Sequence, residues 1–157
     1  MIKVNDKIPQ GELQQLVGGS ATSHSTNDLF SGKKVVMFAV PGAYTPTCSA
    51  AHLPGFVVNA DTIKAKGVDS IICLSVNDAF VMNAWGEAQN ADEVMMLADG
   101  DGSFTKAMGL GKETGSFGGY RSVRYAMIVE DGVVTSLQVE QPKEFKVSSA
   151  EAILALL

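Results

Sequence analysis

Apolar positions in this chain fall into short blocks separated by Gly, Pro and Asp. The block Val35-Val36-Met37-Phe38-Ala39-Val40 is continuous, which predicts a strand buried on both faces and ended by Pro41-Gly42. Ser70 to Val76 reads the same way, and Glu93 to Ala98 predicts a short third strand. Between them the spacing predicts helices over about Thr47 to Lys66 and Phe80 to Gln89, with a further short helix over Ser103 to Met108. Pro54 falls inside the first helix, where its missing N–H predicts a kink.

Two apolar runs, Tyr125 to Glu130 and Val133 to Val139, flank Asp131-Gly132. A two-residue turn needs positive φ, so this pair predicts a hairpin. Ser148 and Glu151 have capping-box spacing ahead of Ile153-Leu154, which predicts a last helix. The Gly-rich stretch from Gly109 to Gly119 reads as a loop. Strand–helix alternation followed by a hairpin implies an α/β fold: a mixed central sheet with helices on both faces, compatible with a thioredoxin-like architecture.

Length adds that one domain over residues 1–157 is expected. With 46% hydrophobic and 18% charged residues, the chain can build a core, and global disorder is excluded. A net charge of −5 and scattered Lys and Arg argue against a nucleic-acid or anionic-membrane surface. No apolar run approaches membrane-spanning length, and no basic start leads into an apolar core. A cytoplasmic location is the default expectation.

The candidate chemistry is a thiol. The chain has two cysteines, Cys48 and Cys73, and no CxxC pair, so a dithiol motif and a zinc knuckle are absent. His24 and His52 belong to no metal-ligand pattern. Asp99-Gly100-Asp101 lacks the Glu a calcium loop requires, and the glycines after Met108 do not form a dinucleotide fingerprint, so no cofactor is expected.

Pro41 to Cys48, PGAYTPTC, sits where a buried strand hands over to a helix. Pro46 suits a first helical turn, which places Cys48 near unpaired N–H groups and the positive end of the helix dipole. Both favour thiolate over thiol. Thr45 lies three residues earlier, where its hydroxyl can accept the proton of one peroxide oxygen and donate to the thiolate or to the other oxygen. A cation near the sulfur is still needed, and Arg121 and Arg124 are the candidates. His52, one turn on, suits a supporting or packing role better than proton transfer.

The stretch PGAYTPTCSAAHLPGF closely resembles the active-site segment of type II (Prx5) peroxiredoxins, and CLSVNDAFVMNAWG, LADGDGSFTKAMGL and RYAMIVEDGVV resemble the same subfamily in the same order. The resemblance implies a thioredoxin-like fold and a stand-alone thiol peroxidase, without a fused glutaredoxin domain, acting on hydrogen peroxide and organic hydroperoxides. It implies Cys48 as the peroxidatic thiol, Thr45 as the peroxide-holding hydroxyl, Pro41 as a shield and Arg124 as the activating cation, with a weaker claim for Arg121. Cys73 matches the second cysteine of plant members and is a candidate resolving thiol. Its place inside an apolar strand equally fits a small core residue. Glutaredoxin with glutathione, then thioredoxin, are the expected reductants, and a homodimer is expected. Phe80, Val81 and Trp85 lie near the region that the family uses for dimer contacts, or else belong to the core. Competing readings are a thiol–disulfide oxidoreductase, disfavoured by the missing CxxC, and a non-enzymatic redox sensor or holdase acting through Cys48 oxidation.

Overall fold

A computed structural model describes all residues, Met1 to Leu157. The elements are β1 (Glu12–Val17), β2 (Ser20–Ser25), α1 (Thr26–Phe30), β3 (Lys34–Ala39), a π-type turn (Cys48–His52), α2 (Leu53–Ala65), β4 (Ser70–Ser75), α3 (Ala79–Ala88), β5 (Met95–Ala98), α4 (Ser103–Met108), β6 (Gly111–Glu113), β7 (Tyr120–Ser122), β8 (Tyr125–Glu130), β9 (Val133–Val139) and α5 (Ala150–Leu154).

Seven strands form one mixed sheet in the order β2-β1-β5-β4-β3-β8-β9. β3, β4 and β5 run parallel, joined through α2 and α3, and β8 pairs antiparallel with β3. The central strands are apolar throughout because both of their faces are covered. Val36, Phe38 and Val40 pack with Cys73 against α2, α3 and α5. Val35, Met37 and Ala39 pack on the other face with α1 and α4. Phe38 stacks on Phe56 of α2 at 4.0 Å between ring centroids, which seats α2 over the middle of the sheet.

The hairpin between β8 and β9 turns at Asp131 and Gly132, both at positive φ as the sequence pattern predicts. Three elements differ from expectation. A hairpin, β1–β2, precedes the first predicted strand; its sequence, ELQQLV and SATSHS, is too polar to register as apolar alternation. The stretch read as a loop contains the β6–β7 pair. The last helix is capped by Ser149, whose hydroxyl accepts from the Ala152 N–H, and Ser148 is instead drawn to Glu140.

The predicted break at Pro54 takes a definite form. Pro54 has no N–H to give to the Ala50 carbonyl, and its ring would crowd that carbonyl. The turn ahead of it widens, so that the Leu53 N–H reaches the Cys48 carbonyl five residues back. Cys48 therefore starts a π-type turn, with ordinary helix resuming at Leu53.

Candidate active site

Cys48 sits above the C-terminal end of β3, at the start of the helix that the strand feeds. Pro46 opens that helix, and the Ser49 N–H donates to the Thr45 carbonyl at 2.9 Å. The Cys48 N–H thus falls within the first turn, among groups with no intrahelical acceptor. Its side chain is buried. Tyr44, in the same loop, has φ of 61°, an uncommon left-handed conformation for a bulky residue. Strain of this kind persists only where the surroundings fix the backbone, and here they do. The Ala43 N–H donates to Asn77 Oδ1 at 3.0 Å, and that oxygen also accepts from Ser75 Oγ.

The structure brings Arg124 to the sulfur. Arg124 Nη2 donates to Cys48 Sγ at 3.1 Å, and Nη1 donates to His52 Nδ1 at 2.8 Å. One planar guanidinium thus spans both groups, a geometry that a lysine ammonium does not reproduce. His52 completes the chain by donating from Nε2 to the Ser148 carbonyl at 2.8 Å. A carbonyl only accepts, so the proton is on Nε2 and the Nδ1 lone pair is free for Arg124. Burial and then the nearby Arg124 charge pull the His52 pKa down to about 3, so the ring is neutral at physiological pH. His52 is therefore an orienting acceptor for the arginine.

Arg121 lies behind the loop. It donates to the Val76 carbonyl at 3.3 Å and to the Gly118 carbonyl at 2.8 Å. A side chain at Gly42 would meet Arg121 Nη1 at 3.2 Å, so glycine there admits the guanidinium against the backbone. Arg121 braces the loop and does not bond Cys48. Thr45 Oγ1 donates to the Gly42 carbonyl at 2.7 Å. Its proton is thus engaged, which keeps the expected acceptor role and gives the expected donor role to the Gly42 carbonyl instead of the thiolate or peroxide.

Pro41 and Arg124 line a pocket of about 330 Å³ together with Thr47, Lys112, Glu140 and Phe145. The Phe145 ring lies 5.0 Å from the His52 ring and 5.8 Å from Arg124 Cζ. Glu140, 8% exposed, accepts from the N–H groups of Lys146, Val147 and Ser148 and from Ser148 Oγ. Burial pushes its carboxyl up, but these donors outweigh burial and hold it below the usual carboxylate range. Sequence inspection missed Glu140, Ser148 and Asn77. Asn77 and Ser148 act on Ala43 and His52, which are 34 and 96 residues away, and the turn that brings Glu140 to residues 146–148 follows no recognisable motif.

Cys73 lies on β4 in register with Phe38 of β3, in the core cluster that contains Cys48. It is buried, and burial pushes its thiol pKa well up, with Cys48 adding to the effect. Trp85 is also core; its Nε1 donates to Ser49 Oγ at 3.0 Å, next to Cys48. Phe80 is exposed and Val81 half-buried. Asp99 serves α4, accepting from the Phe104 and Thr105 N–H groups. His24 bonds Gln15 across the β1–β2 hairpin, away from the thiol.

The Redoxin family model matches residues 3–154. Peroxiredoxin-2B of Arabidopsis thaliana is 45% identical, over 99% of this chain and 98% of that protein. The hybrid peroxiredoxin hyPrx5 of Haemophilus influenzae is 44% identical over 96% of this chain, which spans 64% of that longer protein. The structure of reduced Prx3 from Vibrio vulnificus in complex with hydrogen peroxide superposes with a TM-score of 0.98, at 62% identity and 99% coverage of both chains. With a sheet of this order, a thiol at the strand-to-helix turn and an arginine on its sulfur, the chain belongs to the peroxiredoxins, of the type II (Prx5-like) kind, and is a thiol peroxidase.

Proposed function

We propose that Cys48 is the peroxidatic thiol and that Arg124, held by His52, aims at the sulfur and the peroxide. The observation that carries this reading is the forked guanidinium between Cys48 Sγ and His52 Nδ1. A fixed positive charge matches a sulfur anion and the oxygen that becomes negative as the O–O bond breaks. The sulfur electron pair attacks one peroxide oxygen, and that oxygen stays on Cys48. The other oxygen leaves as alcohol or water with a proton. Sulfur is oxidised by two electrons to a sulfenic acid, and the peroxide is reduced by two. Thr45, with its own proton on Gly42, accepts the peroxide O–H and orients the substrate. Pro41 covers one side of the approach from the pocket.

Recycling uses an external thiol, by the same reading. The thiol condenses with the sulfenic acid, a sulfur–sulfur bond forms and water leaves; a second thiol then releases Cys48. Burial of Cys73 in the middle of β4, with its thiol kept protonated, supports a one-cysteine cycle. Glutathione with glutaredoxin is the proposed reductant, with thioredoxin next, by similarity to the type II relatives. Hydrogen peroxide and small organic hydroperoxides are the proposed substrates. A homodimer is proposed from two exposed aromatic rings, Phe80 of α3 and Tyr44, the latter 6.5 Å from the Trp85 ring.

The test follows peroxide loss with glutathione and glutaredoxin for wild type, Cys48→Ser and Cys73→Ser. Turnover is expected in the first and third only. Unchanged turnover in Cys48→Ser ends the assignment.

A further inference from the structure

Beyond His52 lies one more group with an unusual concentration of contacts. Glu140 follows β9, and its N–H donates to the Arg124 carbonyl at 3.0 Å, so the two backbones are locked together. Its carboxylate then reaches across the next turn. Oε2 accepts from the N–H groups of Lys146, Val147 and Ser148, each at 2.8 Å, and from Ser148 Oγ at 2.7 Å; Oε1 accepts from Lys146 at 2.9 Å. Three successive N–H groups form a concave anion site, and the protein fills it with its own side chain. The segment 141–147 is thereby a loop closed at the neck. It carries Phe145 to the His52 ring and sets the Ser148 carbonyl on His52 Nε2.

We propose that Glu140 is a positioning residue for peroxide reduction: by clamping Ser148 it fixes the tautomer and tilt of His52, and through His52 the aim of Arg124 at Cys48. The proposal rests on the roles given above to Cys48 and Arg124. The requirement for a carboxylate is chemical. Every group facing it is a donor, so an amide NH₂ in its place meets N–H groups head on. Aspartate is one methylene too short to span the neck. If Ser148 shifts, His52 loses the acceptor that holds its proton on Nε2. The other tautomer turns an N–H toward the Arg124 N–H, and the guanidinium swings from the sulfur. Misplacement of about 1 Å in such a supporting group can cost about 100-fold in rate.

The chain has one tryptophan, Trp85, bonded beside Cys48, so its fluorescence reports oxidation of the sulfur in a stopped-flow experiment. Glu140→Gln is expected to slow oxidation by hydrogen peroxide about 10- to 100-fold, with iodoacetamide alkylation of Cys48 changed less than about 3-fold. Iodoacetamide reacts with the thiolate but offers no breaking O–O bond for an arginine to stabilise, so alkylation followed at saturating alkaline pH separates positioning from general loosening. In a His52→Leu background the same change is expected to add nothing, because the path runs through His52. Ser148→Ala removes one contact, keeps the carbonyl and is expected to give a smaller loss in the same direction. Four results would overturn the proposal: wild-type oxidation rates in Glu140→Gln; wild-type rates in Ser148→Ala; oxidation and alkylation falling together; or multiplicative losses in the double variant. If wild type itself shows no oxidation at Cys48, the underlying peroxidase assignment fails instead.

Discussion

His52 makes stability depend on pH with a magnitude the structure sets. In the fold its pKa lies at about 3, against 6.5 in the unfolded chain, because burial and Arg124 both oppose a charged ring. A folded pKa below the unfolded one means that the unfolded chain binds the extra proton first. The stabilisation is therefore complete above about pH 6.5 and is lost as pH falls toward 3. The gap of about 3.5 pH units at about 1.36 kcal/mol each caps the effect near 5 kcal/mol. Between pH 8 and pH 5 the same linkage gives a loss of roughly 2 kcal/mol. At pH 5 only about a fifth of unfolded glutamate carboxyls are protonated, and Glu140 is common to both proteins compared, so its small contribution cancels. The assay is urea unfolding of the reduced protein at both pH values, for wild type and His52→Gln. A glutamine amide can both accept from Arg124 and donate to Ser148, yet does not titrate, and His24, common to both proteins, cancels in the comparison. Wild type is expected to lose roughly 2 kcal/mol more than His52→Gln over this window. Equal losses would refute a neutral, buried His52.

Arg124→Lys keeps the charge but loses the fork that spans His52 and Cys48, and is expected to slow oxidation of Cys48 by about 100-fold or more in the Trp85 stopped-flow signal. Thr45→Val removes both the bond to Gly42 and the acceptor for the peroxide proton; a loss of about 100-fold in the same signal is expected, with Thr45→Ser close to wild type. Cys73→Ser places a hydroxyl in an apolar core, so unfolding free energy should fall by about 1–3 kcal/mol while peroxide turnover persists. Phe80→Glu is expected to shift sedimentation from dimer to monomer, and a wild type that sediments only as monomer at high concentration would count against the proposed pairing.

Much of the sheet was legible because its central strands are buried on both faces and so are apolar at every position, as in Val35 to Ala39. The Asp131-Gly132 turn was legible because few residue pairs take positive φ twice in succession. The β1–β2 hairpin was not, since half-exposed strands such as ELQQLV carry little apolar signal; Gly18-Gly19, both at positive φ, was the overlooked cue. Ser148 and Ser149 have equal capping chemistry; Ser148 Oγ is held by Glu140, eight residues earlier, and Ser149 caps α5.

The candidate site divides along the same line. Cys48, Thr45 and Arg124 stood out through local context and family pattern. The neutral His52 depends on Arg124 and Ser148, 72 and 96 residues away, which spacing along the chain does not encode; the Thr45 and Glu140 bonds are local, but no residue pattern announces which group accepts. The likeness to type II peroxiredoxins supplied Arg124 over Arg121, and the distinction is physical: Arg124 donates to sulfur, and Arg121 to two carbonyls.

The central claim is that peroxide oxidises Cys48 itself to a sulfenic acid. The most direct measurement treats the reduced protein with about one equivalent of hydrogen peroxide in the presence of dimedone, which traps sulfenic acids, and maps the adduct by peptide mass spectrometry. A single adduct on the peptide containing Cys48, absent from Cys48→Ser, is the expected result. An adduct on Cys73 alone, or none while peroxide is still consumed, would contradict the account.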